Sequence, residues 1–249
     1  MIAVTFALPQ ESKEFLSTLR NRESDGGIII GHAGAQKIAL AHTGVGGNAA
    51  TTNVRTLLAA HRPDYLICAG FAGALDDRLR VGDLLVATNY SASELVARCR
   101  HQCRESFQFA DDPMPSPNLS SVDHRNAPCI FFGSLTSHVT VVETRAAKAD
   151  LALRTGALGV DMETDAVAAE CARVSIPLLA MRVISDAAAT NLPLPIDYWF
   201  DLKRQRPRPF ALLAYLARHP GRVLPFARFV SALPRLRAIL ARAILATIN

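Results

Sequence analysis

A chain of 249 residues, half of them hydrophobic, is the size of one large core, since single cores grow to roughly 250 residues before chains split. No apolar run reaches the 18 or so residues that a spanning helix needs, and Met1 to Phe6 reads as a first strand without the basic start of a signal peptide. Five irregularly spaced cysteines point to free thiols in a reducing cytoplasm. The net charge of +5 conceals an asymmetry: residues 203–249 carry ten Lys or Arg and no acid, so the first 202 residues are net −5. A basic end of this kind suits an anionic surface.

In chain order, residues 2–7 alternate as a strand and 9–20 form a helix opened by Pro9. Two apolar runs, 27–32 and 36–42, make a hairpin. The glycine turn Thr43-Gly44-Val45-Gly46-Gly47-Asn48 leads into a helix over about 48–61, with Val54, Leu57 and Leu58 at helical spacing. A buried-type strand, Tyr65 to Ala69, ends at Gly70-Phe71-Ala72-Gly73. A strand follows at 82–88, then a polar, Pro-rich stretch over 99–128 that is the least orderly part of the body. Strands are expected near 129–134, 138–142 and 158–160, helices near 144–155 and 163–174, and a last core strand at 178–184. Strands alternating with helices indicate an α/β fold, and the early hairpin a mixed sheet. Beyond Pro193-Leu194-Pro195 three short helices are expected, near 209–218, 222–232 and 234–246, with Pro225 interrupting the second and Pro234 starting the third.

Three places carry chemistry. In the turn Gly44-Val45-Gly46-Gly47, backbone N–H groups at a helix start suit an anion or sugar hydroxyls, or the turn simply needs positive φ. Asp161-Met162-Glu163 lies at a strand-to-helix junction, where a carboxylate can grip vicinal hydroxyls or cap a first turn. Met181-Arg182-Val183-Ile184-Ser185-Asp186 runs an apolar strand into a carboxyl group at the strand's carboxyl end. Ligands of open α/β sheets bind there, although Asp186 could equally be a loop or capping residue. Cys99, His101 and Cys103 make only three ligands at spacings tighter than those of zinc sites, so no metal is expected.

With Ala7-Leu8-Pro9-Gln10-Glu11, Gly70-Phe71-Ala72-Gly73 and Val81-Gly82-Asp83, these segments resemble the nucleoside phosphorylase and methylthioadenosine/S-adenosylhomocysteine nucleosidase family over about residues 2–190. The resemblance implies a three-layer α/β domain over 1–192 with a helical extension over 193–249. It implies cleavage of a purine N-glycosidic bond, with no cofactor and with water or phosphate as nucleophile. Asp186 matches the acid that protonates purine N7, with Ser185 beside it. Glu163 matches the anchor of the ribose hydroxyls, with Met162 packing under the sugar. Glu11 matches the acid that positions the nucleophile, and Arg182 a cation beside it. Gly44, Gly46 and Gly73 fall in matching turns, and Val141 and Val142 near the base-stacking segment. Phe71 stands where many relatives have a Ser that helps hold phosphate or water.

The pattern Arg208-Pro209-Phe210-Ala211-Leu212-Leu213, then Arg218-His219-Pro220, resembles the hopanoid-associated phosphorylase subgroup, which implies adenine release from a lipid-linked nucleoside, adenosylhopane. For such a substrate, Leu236, Ile239, Leu240 and Ile244 on one face of 234–246, with Arg235 and Arg242 on another, would form a basic amphipathic segment able to lie on an anionic membrane, or a helical cap on the core. The expected partners are an adenosyl nucleoside, small or lipid-linked, an anionic membrane surface and a second copy of the chain, but not nucleic acid. The alternatives are a nucleosidase for methylthioadenosine or S-adenosylhomocysteine, and a non-catalytic membrane- or nucleic-acid-binding protein with a degenerate pocket.

Overall fold

The computed structural model describes residues 1–111, 127–202 and 204–249. In its first half β1 (Ile2–Phe6), α1 (Pro9–Thr18), β2 (Arg20–Asp25), β3 (Ile28–Ala33) and β4 (Gln36–His42) precede α2 (Gly47–His61), β5 (Tyr65–Ala74), β6 (Leu84–Ala87), α3 (Ser93–Cys103) and β7 (Gln108–Phe109). The second half holds β8 (Cys129–Gly133), β9 (Leu135–Ser137), α4 (Arg145–Thr155), β10 (Gly159–Asp161), α5 (Thr164–Arg173) and β11 (Leu178–Asp186). The chain ends with a small ribbon, β12 (Phe200–Asp201) and β13 (Arg206–Pro207), then α6 (Pro209–Arg218) and α7 (Val223–Ile248).

The main sheet runs β2-β3-β4-β1-β5-β11-β6-β8-β7, with β10 joined to β5 and β9. It is mixed, as expected: β1 lies parallel to β4 and β5, and β11 parallel to β5, while β6 runs antiparallel to β11. Two-residue alternation builds the layers. Ile2, Val4, Phe6, Ile38, Leu40, Ile67, Met181 and Val183 meet Phe15 of α1, Leu95 and Cys99 of α3, and Leu236, Leu240 and Ile244 of α7 on one face. Ala3, Ala39, Ala41, Leu66 and Leu178 meet Val54 and Leu57 of α2 and Val167 and Cys171 of α5 on the other. The result is helix–sheet–helix, with small residues on the face where α2 and α5 press close.

Several expectations change. The polar stretch opens with a helix, α3, whose inward residues are Leu95, Cys99 and Cys103; the middle of that stretch lies outside the described residues. Residues 138–142 are not a strand: β9 stops at Ser137, and His138 folds back so that its ring nitrogen meets Thr140 O at 2.8 Å. The two last expected helices are one, α7. Pro225 falls in its first turn, where the missing N–H costs nothing, and Pro234 removes one bond from the interior. The packing of Leu236, Ile239, Leu240, Ala243, Ile244 and Ile248 into the main core carries the helix through that break. These residues therefore face the sheet and offer no apolar face to a membrane, while Arg242 stays outside, over the ring of Phe107.

Candidate active site

Gly44 and Gly46 both have positive φ, 77° and 89°, so the turn after β4 requires glycine. The turn delivers its N–H groups to side chains. Gly46 N–H donates to Glu163 Oε1 at 2.7 Å, and Val45 N–H donates to Gln205 Oε1 at 2.7 Å. The anion at the start of α2 is thus the protein's own Glu163, held between β10 and α5. Burial, reinforced by repulsion from Asp161, raises the Glu163 carboxyl to about 7. Met162, half-buried, adjoins it.

Glu11 sits in the first turn of α1, where its Oε2 accepts from Ala7 N–H at 3.1 Å and Leu8 N–H at 3.3 Å. This is partly the work of a helix cap. Burial nevertheless dominates over those bonds and over the nearby Arg182, lifting Glu11 to about 7. Glu11 Oε2 and Arg182 Nη1 converge over Gly70, 3.4 and 3.5 Å from where a Cβ would stand. Glu11, Glu163, Arg182, Thr5, Thr43 and Phe71 line one void of about 10 Å³, the room of a single water.

Arg182 is only 2 % exposed and is already occupied. It pairs with Asp161 at 2.8 Å and donates from Nη2 to Thr164 Oγ1 at 2.6 Å and from Nη1 to Cys68 O at 2.8 Å. Asp161, which also accepts from Ser137 and from the Thr164 backbone, is thereby the residue that orients Arg182. The sequence placed Asp161 at the strand-to-helix junction and gave the role there to Glu163 alone.

Asp186 ends β11 at an irregularity in the pairing, opposite Gly73. A Cβ at Gly73 would stand 3.1 Å from Asp186 Oδ2, so only glycine lets the carboxyl group lie there without displacement. Ser185 Oγ donates to Asp186 Oδ1 at 2.6 Å. Lys148 of α4, buried, donates to Asp186 Oδ2, with Ala187 O at 2.8 Å and Thr190 O at 3.1 Å completing its three bonds. Asp186 is not in the wall of the void; it lies farther along the same two strand ends, since β5 and β11 pair Gly70 with Arg182 and Gly73 with Asp186. Lys148 went unnoticed in the sequence, although its place one turn before buried Leu151 on α4 puts a lysine on the inward face.

Val141 and Val142 lie in the irregular segment before α4, on a recess of about 310 Å³ that they share with His138, Glu143 and Leu151. Val142 also packs on the small cluster of Leu75, Leu151 and Val160. Of the weak metal candidate, Cys99 and Cys103 point inward, with their sulfurs 3.9 Å apart, while His101 is exposed. Among the described residues no group of three or more His, Cys, Asp or Glu is placed to hold a metal.

The three-layer α/β fold is one that solved nucleosidase structures also have. It is shared with 5'-methylthioadenosine/S-adenosylhomocysteine nucleosidase from Neisseria meningitidis (TM-score 0.70, 18 % identity, 99 % of this chain and 97 % of that one) and the Helicobacter pylori enzyme of the same name (0.69, 17 %, 99 % and 97 %). Futalosine hydrolase of Helicobacter pylori has it too (0.68, 17 %, 99 % and 96 %). The family model described as the phosphorylase superfamily matches residues 1–214, and the chain belongs to that superfamily.

Proposed function

We propose that this protein cleaves the N-glycosidic bond of a purine nucleoside and releases adenine. The observation that carries the reading is the gathering of Glu11, Glu163 and Arg182 around one void, with Asp186 on the adjoining tips of β5 and β11. Bond cleavage leaves a cationic sugar and an anionic base. Glu163 accepts from the sugar hydroxyls and, with Glu11, stabilises the developing positive charge. Asp186 passes a proton to N7 so that the base departs neutral, drawing it from the Lys148 ammonium that donates to its Oδ2, while Ser185 fixes where Oδ1 points. Glu11 and Arg182 flank the nucleophile. As the void of about 10 Å³ stands it admits water, and phosphate as co-substrate would require a larger space.

The substrate we favour is an adenosyl nucleoside with a large apolar 5′ substituent, of the adenosylhopane type. Phe71 supports this by replacing a polar lining with an apolar one, as does the resemblance carried by residues 208–220. Methylthioadenosine or S-adenosylhomocysteine is the second reading, supported by the likeness to nucleosidases of that name. We also propose that the protein works as a homo-oligomer on the cytoplasmic side.

The test is release of free adenine from adenosyl substrates with and without phosphate, scoring free sugar against sugar 1-phosphate. Asp186→Asn should lower release by about 10²–10⁴ with an unchanged far-UV spectrum. Undiminished release by that variant removes Asp186 from the mechanism, and no release from any purine nucleoside refutes the activity.

A further inference from the structure

Helix α6 has no buried residue. Phe210 is 85 % and Leu213 63 % exposed, and in the outer half of α7 Leu224 is 58 % exposed, with Val223 and Val230 also open. Helical spacing puts Phe210, Leu213, Ala214 and Ala217 on one stripe, and Val223, Ala227 and Val230 on another. Among and beside them stand Arg206, Arg208, Arg218, Arg222 and Arg228, all exposed, and no acid occurs from 202 onward. Clustered open apolar side chains of this size mark an interaction surface.

These helices are tied to the segment before them near the turn that joins α6 to α7. The ring of Tyr198 meets that of Tyr215 at a tilt, with centroids 4.2 Å apart, and Trp199 meets Phe226 at 6.5 Å. Just before α6, Gln205 bonds Val45 through both amide atoms, in the same turn whose Gly46 holds Glu163. Gln205 thus joins the segment before α6 to the turn beside the candidate site.

We infer that the segment made of α6 and the outer half of α7, residues 209–230, docks on an anionic lipid bilayer. The charge decides the occupant. An all-basic apolar surface meets its complement in acidic head groups over acyl chains. Isologous pairing with the same segment of a second copy would set arginine against arginine. The inference does not depend on which nucleoside the site cleaves.

Flotation of the full-length protein with two kinds of vesicle tests it: phosphatidylcholine alone, and phosphatidylcholine mixed with phosphatidylglycerol. We expect at least tenfold tighter partition to the anionic vesicles. Arg218→Glu/Arg222→Glu/Arg228→Glu should weaken it by on the order of a hundredfold. Phe210→Ser/Leu213→Ser/Val230→Ser should remove the part that survives high salt, with unaltered melting because these side chains are exposed. Equal partition to both vesicle types, or variants that float like the wild type, would overturn the inference. So would apolar-stripe variants that split a dimer in light scattering while vesicle binding stays the same.

Discussion

Lys148 is the residue whose role is set most sharply by its surroundings. It is 1 % exposed, and its carboxylate partner Asp186 is 11 % exposed. Removing one member of a buried pair strands the other, at about 3–5 kcal/mol. Lys148→Met should therefore lower stability by on the order of 3 kcal/mol, and adding Asp186→Asn should restore part of the loss, because the stranded charge goes with it. Urea denaturation of the two single variants and the double variant checks this; a double variant no more stable than Lys148→Met contradicts the pairing. Glu11 and Glu163 give a second signature. Each is raised from 4.5 to about 7 in the folded protein, so the native state keeps protons that the unfolded chain has released. Stability should fall as pH rises from about 4.5 to about 7 and level off above that. Thermal melts across this range should show the fall, and Glu11→Gln should flatten it; a flat wild-type profile would exclude the raised values. Glu163 and Asp186 stood out in the sequence because each stands at a strand–helix junction or strand end, where a carboxyl group interrupts an apolar pattern, whereas Glu11 was pointed to only by the family resemblance. Lys148 and Gln205 were not legible. A lysine in a helix reads as solvated until the helix's inward face is known, and a glutamine 160 residues from its partner leaves no local trace.

At the scale of elements, the strands β1, β4, β5 and β11 were legible because burial on both faces makes them nearly continuous apolar runs. The helix α3 was not, since it is largely polar and only Leu95, Cys99 and Cys103 mark its inward face. The glycine turn was found, but two of its N–H groups, those of Val45 and Gly46, serve Gln205 and Glu163 of the protein itself. Gln205 straps the turn to the segment before α6, donating to Val45 O at 2.8 Å and to Leu202 O at 2.7 Å. Gln205→Leu should loosen the turn and with it the Glu163 anchor, raising KM by roughly fivefold with a smaller change in kcat, given about 1 kcal/mol net for such bonds. Steady-state kinetics with an unaltered KM would show that the strap has no part in binding.

Across the whole molecule, helix α7 does two different things along its length. Sequence periodicity showed its apolar face correctly but could not say what covers it, because a membrane and a β-sheet ask for the same stripe. The structure gives the inner half to the sheet: Leu240, Ala243, Ile244 and Ile248 are fully buried. Ile244→Ala should cost about 2–5 kcal/mol and depress Tm by several degrees, where Val230→Ala should leave melting alone. Equal effects of the two in calorimetry would contradict the division. Among the described residues no helix is long and apolar enough to cross a membrane.

The continuity of α7 through Pro234 has a mechanical side. Its 26 residues extend about 39 Å at 1.5 Å per residue, one end cemented beneath the sheet and the other projecting. Such a strut is a stalk and not a leash. Whatever the far end rests on is kept at a set height and tilt from the strand tips, so a ligand delivered from there would reach the candidate site from a constant heading, and a flexible glycine–serine insert after residue 234 would let that heading wander.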